Sequence, residues 1–188
     1  MSNPFAGGDY NPRCQFNAKE GEWWVVEGSG ESKSEEQLPE DGWKFVADFH
    51  NLEVGYVKYG NAGEAPEFQV GLFRDGKVAK PQDGGEWKDF QRVPIKLESK
   101  LGGGHYDLPV GSFALRGAIG GVYAEWAKKS NDEVAVIEVE GVEVSKTPKG
   151  TNKKPKLKFV GMAPRDKYNE GRDDVPVAEP EATADSPF

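Results

Sequence analysis

Short apolar runs separated by turn residues fill most of this 188-residue chain. Glu22–Val26 (EWWVV), Trp43–Phe49 (WKFVADF), Glu53–Tyr59 (EVGYVKY), Pro66–Phe73 (PEFQVGLF) and Phe90–Leu97 (FQRVPIKL) are runs of strand length rich in β-branched and aromatic residues. A turn near Asn51, another over Gly60–Ala65 and a loop over Pro81–Gly85 separate them. Arg74-Asp75-Gly76-Lys77 predicts a hairpin turn, because Asp-Gly tolerates positive φ. Pro94 has no N–H to give to a ladder, so it predicts an edge or a bulge for the run it interrupts.

One segment has helical spacing. Ser112 is placed to cap it, Leu115, Ile119, Val122 and Trp126 recur on one face, and Lys128 and Lys129 complement the C-terminal dipole. Gly117, Gly120 and Gly121 lower its intrinsic helicity and permit close packing on a sheet. Two further strands follow. In Val134–Val144 (VAVIEVEGVEV), Ile137 and Val139 share a face while Val142 and Val144 have the opposite parity, so Gly141 predicts a bulge or tight bend. In Lys156–Val160 (KLKFV), Leu157 and Phe159 point inward. Between these strands Ser145–Pro155 (SKTPKGTNKKP) reads as a loop, as does Glu27–Asp41.

The order is several strands, one helix and two strands joined by a basic loop. It predicts a mainly β fold, an OB-fold-like Greek-key barrel with one α-helix, spanning residues 21–164. A generic α+β sheet with a packed helix gives the same string. Residues 1–20 read as a flexible arm and 165–188 as a disordered acidic tail. The single Cys14 excludes an internal disulfide and fits a reducing compartment. No apolar run approaches membrane-spanning length, and the expected location is cytoplasmic, with no membrane partner.

Charge sharpens the picture because it is unevenly spread. The net charge is -8, yet residues 173–188 alone hold five acids and no base. Residues 142–168 hold eight bases against two acids, Glu143 and Asp166. A basic stretch followed by an acidic arm is a dipolar layout that the whole-chain charge conceals.

Two constellations suit a single-stranded nucleic acid. Lys146, Lys149, Lys153, Lys154, Lys156 and Lys158 lie along a Gly/Thr/Asn-rich connection and its flanking strand, where they can track phosphates. The bland alternative is a solvated hairpin whose lysines guard an edge. Trp23, Trp24, Trp43, Tyr56, Tyr59, Phe68, Phe73 and Trp87 supply rings on predicted strands, for base stacking or for core packing. Tyr56 and Lys58 share one strand face, which suits a base-plus-phosphate contact, and Trp43 next to Lys44 is a second candidate.

The last residues, DDVPVAEPEATADSPF, end in Asp185, Pro187 and Phe188. This arm resembles that of bacterial and phage single-stranded DNA-binding proteins, which pair an OB-fold with an acidic tail ending in an aromatic tip. Ser186 stands where the bacterial tip has an apolar residue, and the acids are spread rather than clustered. The body resembles tailed-phage proteins more than the bacterial protein, and a phage-encoded chain would work in the host cytoplasm. The resemblance implies binding of single-stranded DNA, a possible homo-oligomer, and docking of replication or recombination proteins at Asp173, Asp174, Asp185, Pro187 and Phe188. The competing reading is a phage structural or host-interaction protein that binds no nucleic acid, with the tail as a docking or DNA-mimicking arm. A third is an RNA-binding module.

Catalytic signals are weak. There is no Walker lysine motif, HExxH or GxSxG, and His50 and His105 stand far apart with no cysteine or paired carboxylate at metal-ligand spacing. The expectation is a non-enzyme with no cofactor and no metal.

Overall fold

The computed structural model describes residues 12–28, 32–61, 66–129, 132–147 and 150–170. They form a mainly β protein: ten strands in one open, mixed sheet, with one long helix. The strands are β1 (Arg13–Asn17), β2 (Glu22–Glu27), β3 (Ser34–Gln37), β4 (Trp43–Ala47), β5 (Glu53–Lys58), β6 (Glu67–Leu72), β7 (Lys88–Leu97), β8 (His105–Pro109), β9 (Val134–Thr147) and β10 (Gly150–Ala163). Helix α1 (Phe113–Ala127) lies between β8 and β9, and a short helix α2 (Arg165–Asn169) follows β10.

Strands run β10-β9-β4-β7-β8-β1-β2-β3 across the sheet. Among the described residues β1 with β8 is the one parallel pair. The N-terminal half of β7 extends past β4 and pairs instead with β5, which pairs with β6, making a three-stranded wing. The two ends of the sheet approach each other. The Lys153 N–H of β10 donates to the Ala18 carbonyl in the β1–β2 turn at 2.8 Å, and Lys153 Nζ donates to the Glu20 carbonyl at 2.7 Å.

Inward positions make the core. Trp23 and Trp43 meet edge-on at 5.5 Å and both contact Phe45. Val93, Ile95 and Leu97 of β7 and Ala135, Ile137 and Val139 of β9 are buried beside them. Helix α1 adds Leu115, Ile119, Val122 and Trp126, the face that its spacing predicts, and packs against β10. Ser112 caps it through its hydroxyl, which accepts the Leu115 N–H at 3.1 Å. A Cβ added at Gly117, Gly120 or Gly121 would meet nothing within 4 Å, so these glycines are not needed for close packing.

Several expectations change. Residues 13–17 are paired strand β1 rather than arm, and β3 interrupts the predicted 27–41 loop. Pro94 lies in the central strand β7, not on an edge. It is tolerated because N–H and C=O of one strand residue point to the same flank, and the Pro94 carbonyl accepts the Asp48 N–H at 2.9 Å. Its ring nitrogen therefore faces the gap where β4 has ended and β5 has not begun. Gly141 does mark a bulge: Glu140 and Gly141, the latter at φ +110°, stand opposite the single residue Lys156. The 145–155 connection is mostly hairpin, with Lys146 paired to Thr151 and Val144 to Lys153. Residues 165–170 are ordered onto the body rather than part of a tail. Tyr168 is buried with its ring edge-on to His105 at 5.2 Å, and Arg165 pairs with the buried Asp48 at 3.3 Å.

Candidate nucleic-acid interface

Alternation distributes the basic stretch over two faces of the β9–β10 hairpin. Lys146 and Lys153 share a face with Val144 and Thr151, while Lys154 lies opposite Glu143 on the other. Lys154 pairs with Glu143 at 3.4 Å and Lys158 with Glu140 at 3.4 Å. Lys153 is drawn onto the β1–β2 turn. Lys146 and Lys156 are exposed, and among the described residues neither makes an ion pair. Pairing with β9 thus sets Glu143 beside Lys154 and brings in Glu140, which a count along the sequence places outside the basic stretch. Lys149, like the tail residues Asp173, Asp174, Asp185, Pro187 and Phe188, lies outside the described residues.

Trp43 is not a surface ring. It is fully buried, with its indole N–H donated to the Pro39 carbonyl at 2.9 Å, and so cannot stack on a base. Lys44 beside it is exposed, and its register partner is Glu138. Trp23 is core as well.

Tyr56 and Lys58 do share a face of the wing, but the 77–87 loop occupies it. Lys80 lies over the Tyr56 ring at 6.0 Å and Lys58 over Trp87 at 5.5 Å. Lys58 also pairs with Glu67 at 2.9 Å and Asp83 at 3.6 Å. The Glu67 carboxylate is the main cause of a Lys58 pKa raised above the ordinary lysine value. Asp83 accepts the Gly85 amide at 3.0 Å and the Trp87 indole N–H at 2.8 Å, and these bonds hold its carboxyl below the ordinary value.

The opposite face of the wing exposes Tyr59 and Phe68 over the buried Val57. The register puts Tyr59, Val57 and Gly55 of the β5 run, Phe68 and Val70 of β6, and Lys88, Phe90 and Arg92 of β7 on this side. Phe68 and Phe90 lie 5.0 Å apart, and the Arg92 guanidinium sits 6.0 Å from each ring. Lys88 lies 5.7 Å over Tyr59. Tyr59 is 63% exposed and Phe68 42%. Arg92 is held by Glu53, to which its Nε donates at 2.6 Å, and by Asp107 at 3.3 Å, so it braces the rings rather than offering charge. Gly55 is required beneath them: a Cβ there would stand 2.1 Å from the Gln69 carbonyl oxygen.

This face offers flat rings with a lysine alongside, the arrangement that stacks bases and contacts phosphate. Tyr59 and Phe68 stand among the rings read from the sequence. Phe90 and Lys88 do not, and the only signal for them is that even positions of β7 alternate with the buried Val93, Ile95 and Leu97. Along the same outer face α2 is seated by Lys96, whose Nζ donates to the carbonyls of Lys167 at 2.9 Å and Glu170 at 2.8 Å. His105 Nε2 lies 3.1 Å from the Glu170 carbonyl, which can only accept, so that nitrogen carries a proton. The chain therefore leaves the described body from the sheet face that carries the rings. Among the described residues no three His, Cys, Asp or Glu side chains are grouped to hold a metal, and no helix is long and apolar enough to cross a membrane. Comparison of the chain with protein-family models, with curated proteins and with solved structures gives no match.

Proposed function

We propose that this protein binds single-stranded DNA with little sequence preference, as a replication or recombination accessory of the phage type that its acidic, Phe-ended terminus resembles. The observation that supports this reading is the row of exposed Tyr59, exposed Phe68 and half-buried Phe90 with Lys88 beside it. Bases stack on the rings. Lys88, and the exposed Lys146 and Lys156 of the hairpin, contact phosphates. An OB-type barrel is the matching reading of the fold: the helix precedes the last hairpin, and β10 reaches back to the β1–β2 turn. In this reading the β5–β6 wing is an elaboration of that barrel. Residues 173–188 recruit partner enzymes and compete for the same cationic groups.

Titration of intrinsic tryptophan emission and of a poly-dT mobility shift at low salt tests the reading. Affinity should fall with salt at about 0.7 log units per log unit for each phosphate engaged. Deleting residues 173–188 should tighten binding. A full-length protein that does not shift poly-dT at low salt overturns it. The second reading, a phage structural or host-interaction protein without nucleic-acid binding, is favoured by Lys154 and Lys158 being paired with glutamates. It predicts partners that survive nuclease treatment of a host lysate while poly-dT binding is absent.

A further inference from the structure

Three edges of the sheet differ in how they are protected. Edge strand β3 reads Ser-Glu-Glu-Gln, is four residues long, and is exposed throughout. Two adjacent glutamates on so short an edge oppose pairing with another strand. The β10 edge is met by the β1–β2 turn at Lys153, packs against α1, and is kinked by two register shifts. The β6 edge of the wing has one charged residue, Glu67 at its start, which is paired with Lys58 of the neighbouring strand. Glu67–Leu72 (EFQVGL) is six residues long, pairs with β5 through every residue without a register shift, and contains no lysine and no proline. The chain that follows β6 turns onto the loop-covered face, where a Cβ on Gly71 would stand 3.1 Å from Val78, and among the described residues β5 is the one strand paired with β6.

We infer that β6 is a self-association edge, pairing antiparallel with β6 of a second copy of this chain. Self-complementarity selects this occupant. About a two-fold axis through Val70 perpendicular to the sheet, Val70 faces the partner's Val70 and Phe68 faces the partner's Leu72. Phe68, Val70 and Leu72 all lie on the face of the wing that carries the rings. That register forms aromatic–aliphatic and β-branched cross-strand pairs on one face and places uncharged Gln69 against the partner's Gly71 on the other. The alternative axis, in the plane of the sheet, would set Phe68 against the polar face and is disfavoured. Pairing satisfies the outward backbone groups of both edges and keeps Tyr59, Phe68 and Phe90 of both copies on one side. An edge of six residues buries less than the roughly 800 Å² per partner of a standard stable interface, so monomer and dimer should exchange with concentration.

Neither test uses DNA. In full-length protein, Val70→Cys is placed on the proposed axis and Glu36→Cys on the β3 edge as a control. The native Cys14 is buried, its pKa pushed up to about 12 by desolvation, and contributes no background. With a short bismaleimide, Val70→Cys should form covalent dimer about tenfold faster than Glu36→Cys, because pairing raises the local concentration of the two thiols. Sedimentation should show a concentration-dependent dimer that Gln69→Lys, a change at an exposed position, dissociates without altering the melting temperature. Equal crosslinking of Val70→Cys and Glu36→Cys overturns the inference. So does a dimer that Gln69→Lys leaves intact, or a monomer at every concentration.

Discussion

The β9–β10 hairpin and the β5–β6–β7 wing are both cationic and both project from the core, yet they present their cations differently. In the hairpin, charge is dense along the chain and diluted in space. Strand pairing sets Glu143 beside Lys154 and Glu140 beside Lys158, and alternation sends neighbouring lysines to opposite faces. In the wing, charge is sparse along the chain and concentrated on rings. Lys88, Arg92, Lys58 and Lys80 each lie over an aromatic face. A linear charge count finds the first region and misses the second. For a ligand made of bases and phosphates, the wing can engage both and the hairpin only the phosphates.

The largest effect expected from testing this contrast concerns which rings are structural. Trp43→Ala should cost about 3–5 kcal/mol in denaturant unfolding, because it empties a fully buried aromatic site. Tyr59→Ala, at an exposed ring, should stay within about 0.5 kcal/mol of the parent. Equal losses would remove the distinction between core and surface rings. Next in size, Phe68→Ala combined with Tyr59→Ala should weaken poly-dT binding by about 1–3 kcal/mol for each base that loses its platform. Their effect should leave the salt slope unchanged. Lys146→Ala with Lys156→Ala should weaken binding less and flatten that slope by about 0.7 for each phosphate no longer neutralised. If the lysine pair proves the costlier, the hairpin is the principal site.

Within the hairpin, Lys156→Ala should exceed Lys158→Ala in its effect on poly-dT affinity at low salt. Lys158 is already engaged by Glu140, and removing it also frees a carboxylate that repels phosphate only weakly in water. The smallest effect concerns the covered face of the wing. Asp83 has its pKa lowered by the Gly85 amide, the Trp87 indole and Lys58. A lowered carboxyl pKa contributes stability that is present above the ordinary carboxylate value and is lost as pH falls through the folded value. The indole N–H resonance of Trp87 should therefore shift on acidification below the ordinary carboxylate range. Asp83→Asn should abolish that titration while leaving the fold intact.

Much of the body was legible because its signals are local. The run WKFVADF, the helical spacing Leu115-Ile119-Val122-Trp126 with Ser112 before it, and the parity break at Gly141 each report their own conformation. Strand β1 was legible in principle, since Cys14 and Phe16 alternate with polar residues, but five residues among prolines and glycines read as an arm. Strand β3 was not legible at all: Ser-Glu-Glu-Gln has no apolar position and is a strand only because β2 supplies its hydrogen-bond partners. The candidate site follows the same division. That Tyr56 and Lys58 share a face follows from the two-residue period of a strand. That the 77–87 loop covers this face, and that the opposite one exposes Tyr59 and Phe68, does not.

The sequence by itself determined the mainly β character, the place and cap of the helix, the bulge at Gly141, and the dipolar layout of a basic stretch before an acidic terminus. Each depends on neighbours a few residues apart, so period, parity and charge count are sufficient. Only the tertiary structure decided that Trp43 is core, that Pro94 is central, and that Lys153, Lys154 and Lys158 of the hairpin are already engaged. It alone assembled Tyr59, Phe68, Phe90 and Lys88 from three strands into one surface. Those outcomes depend on which strand lies beside which, and a pairing between residues tens of positions apart leaves no mark on the local pattern that either strand carries.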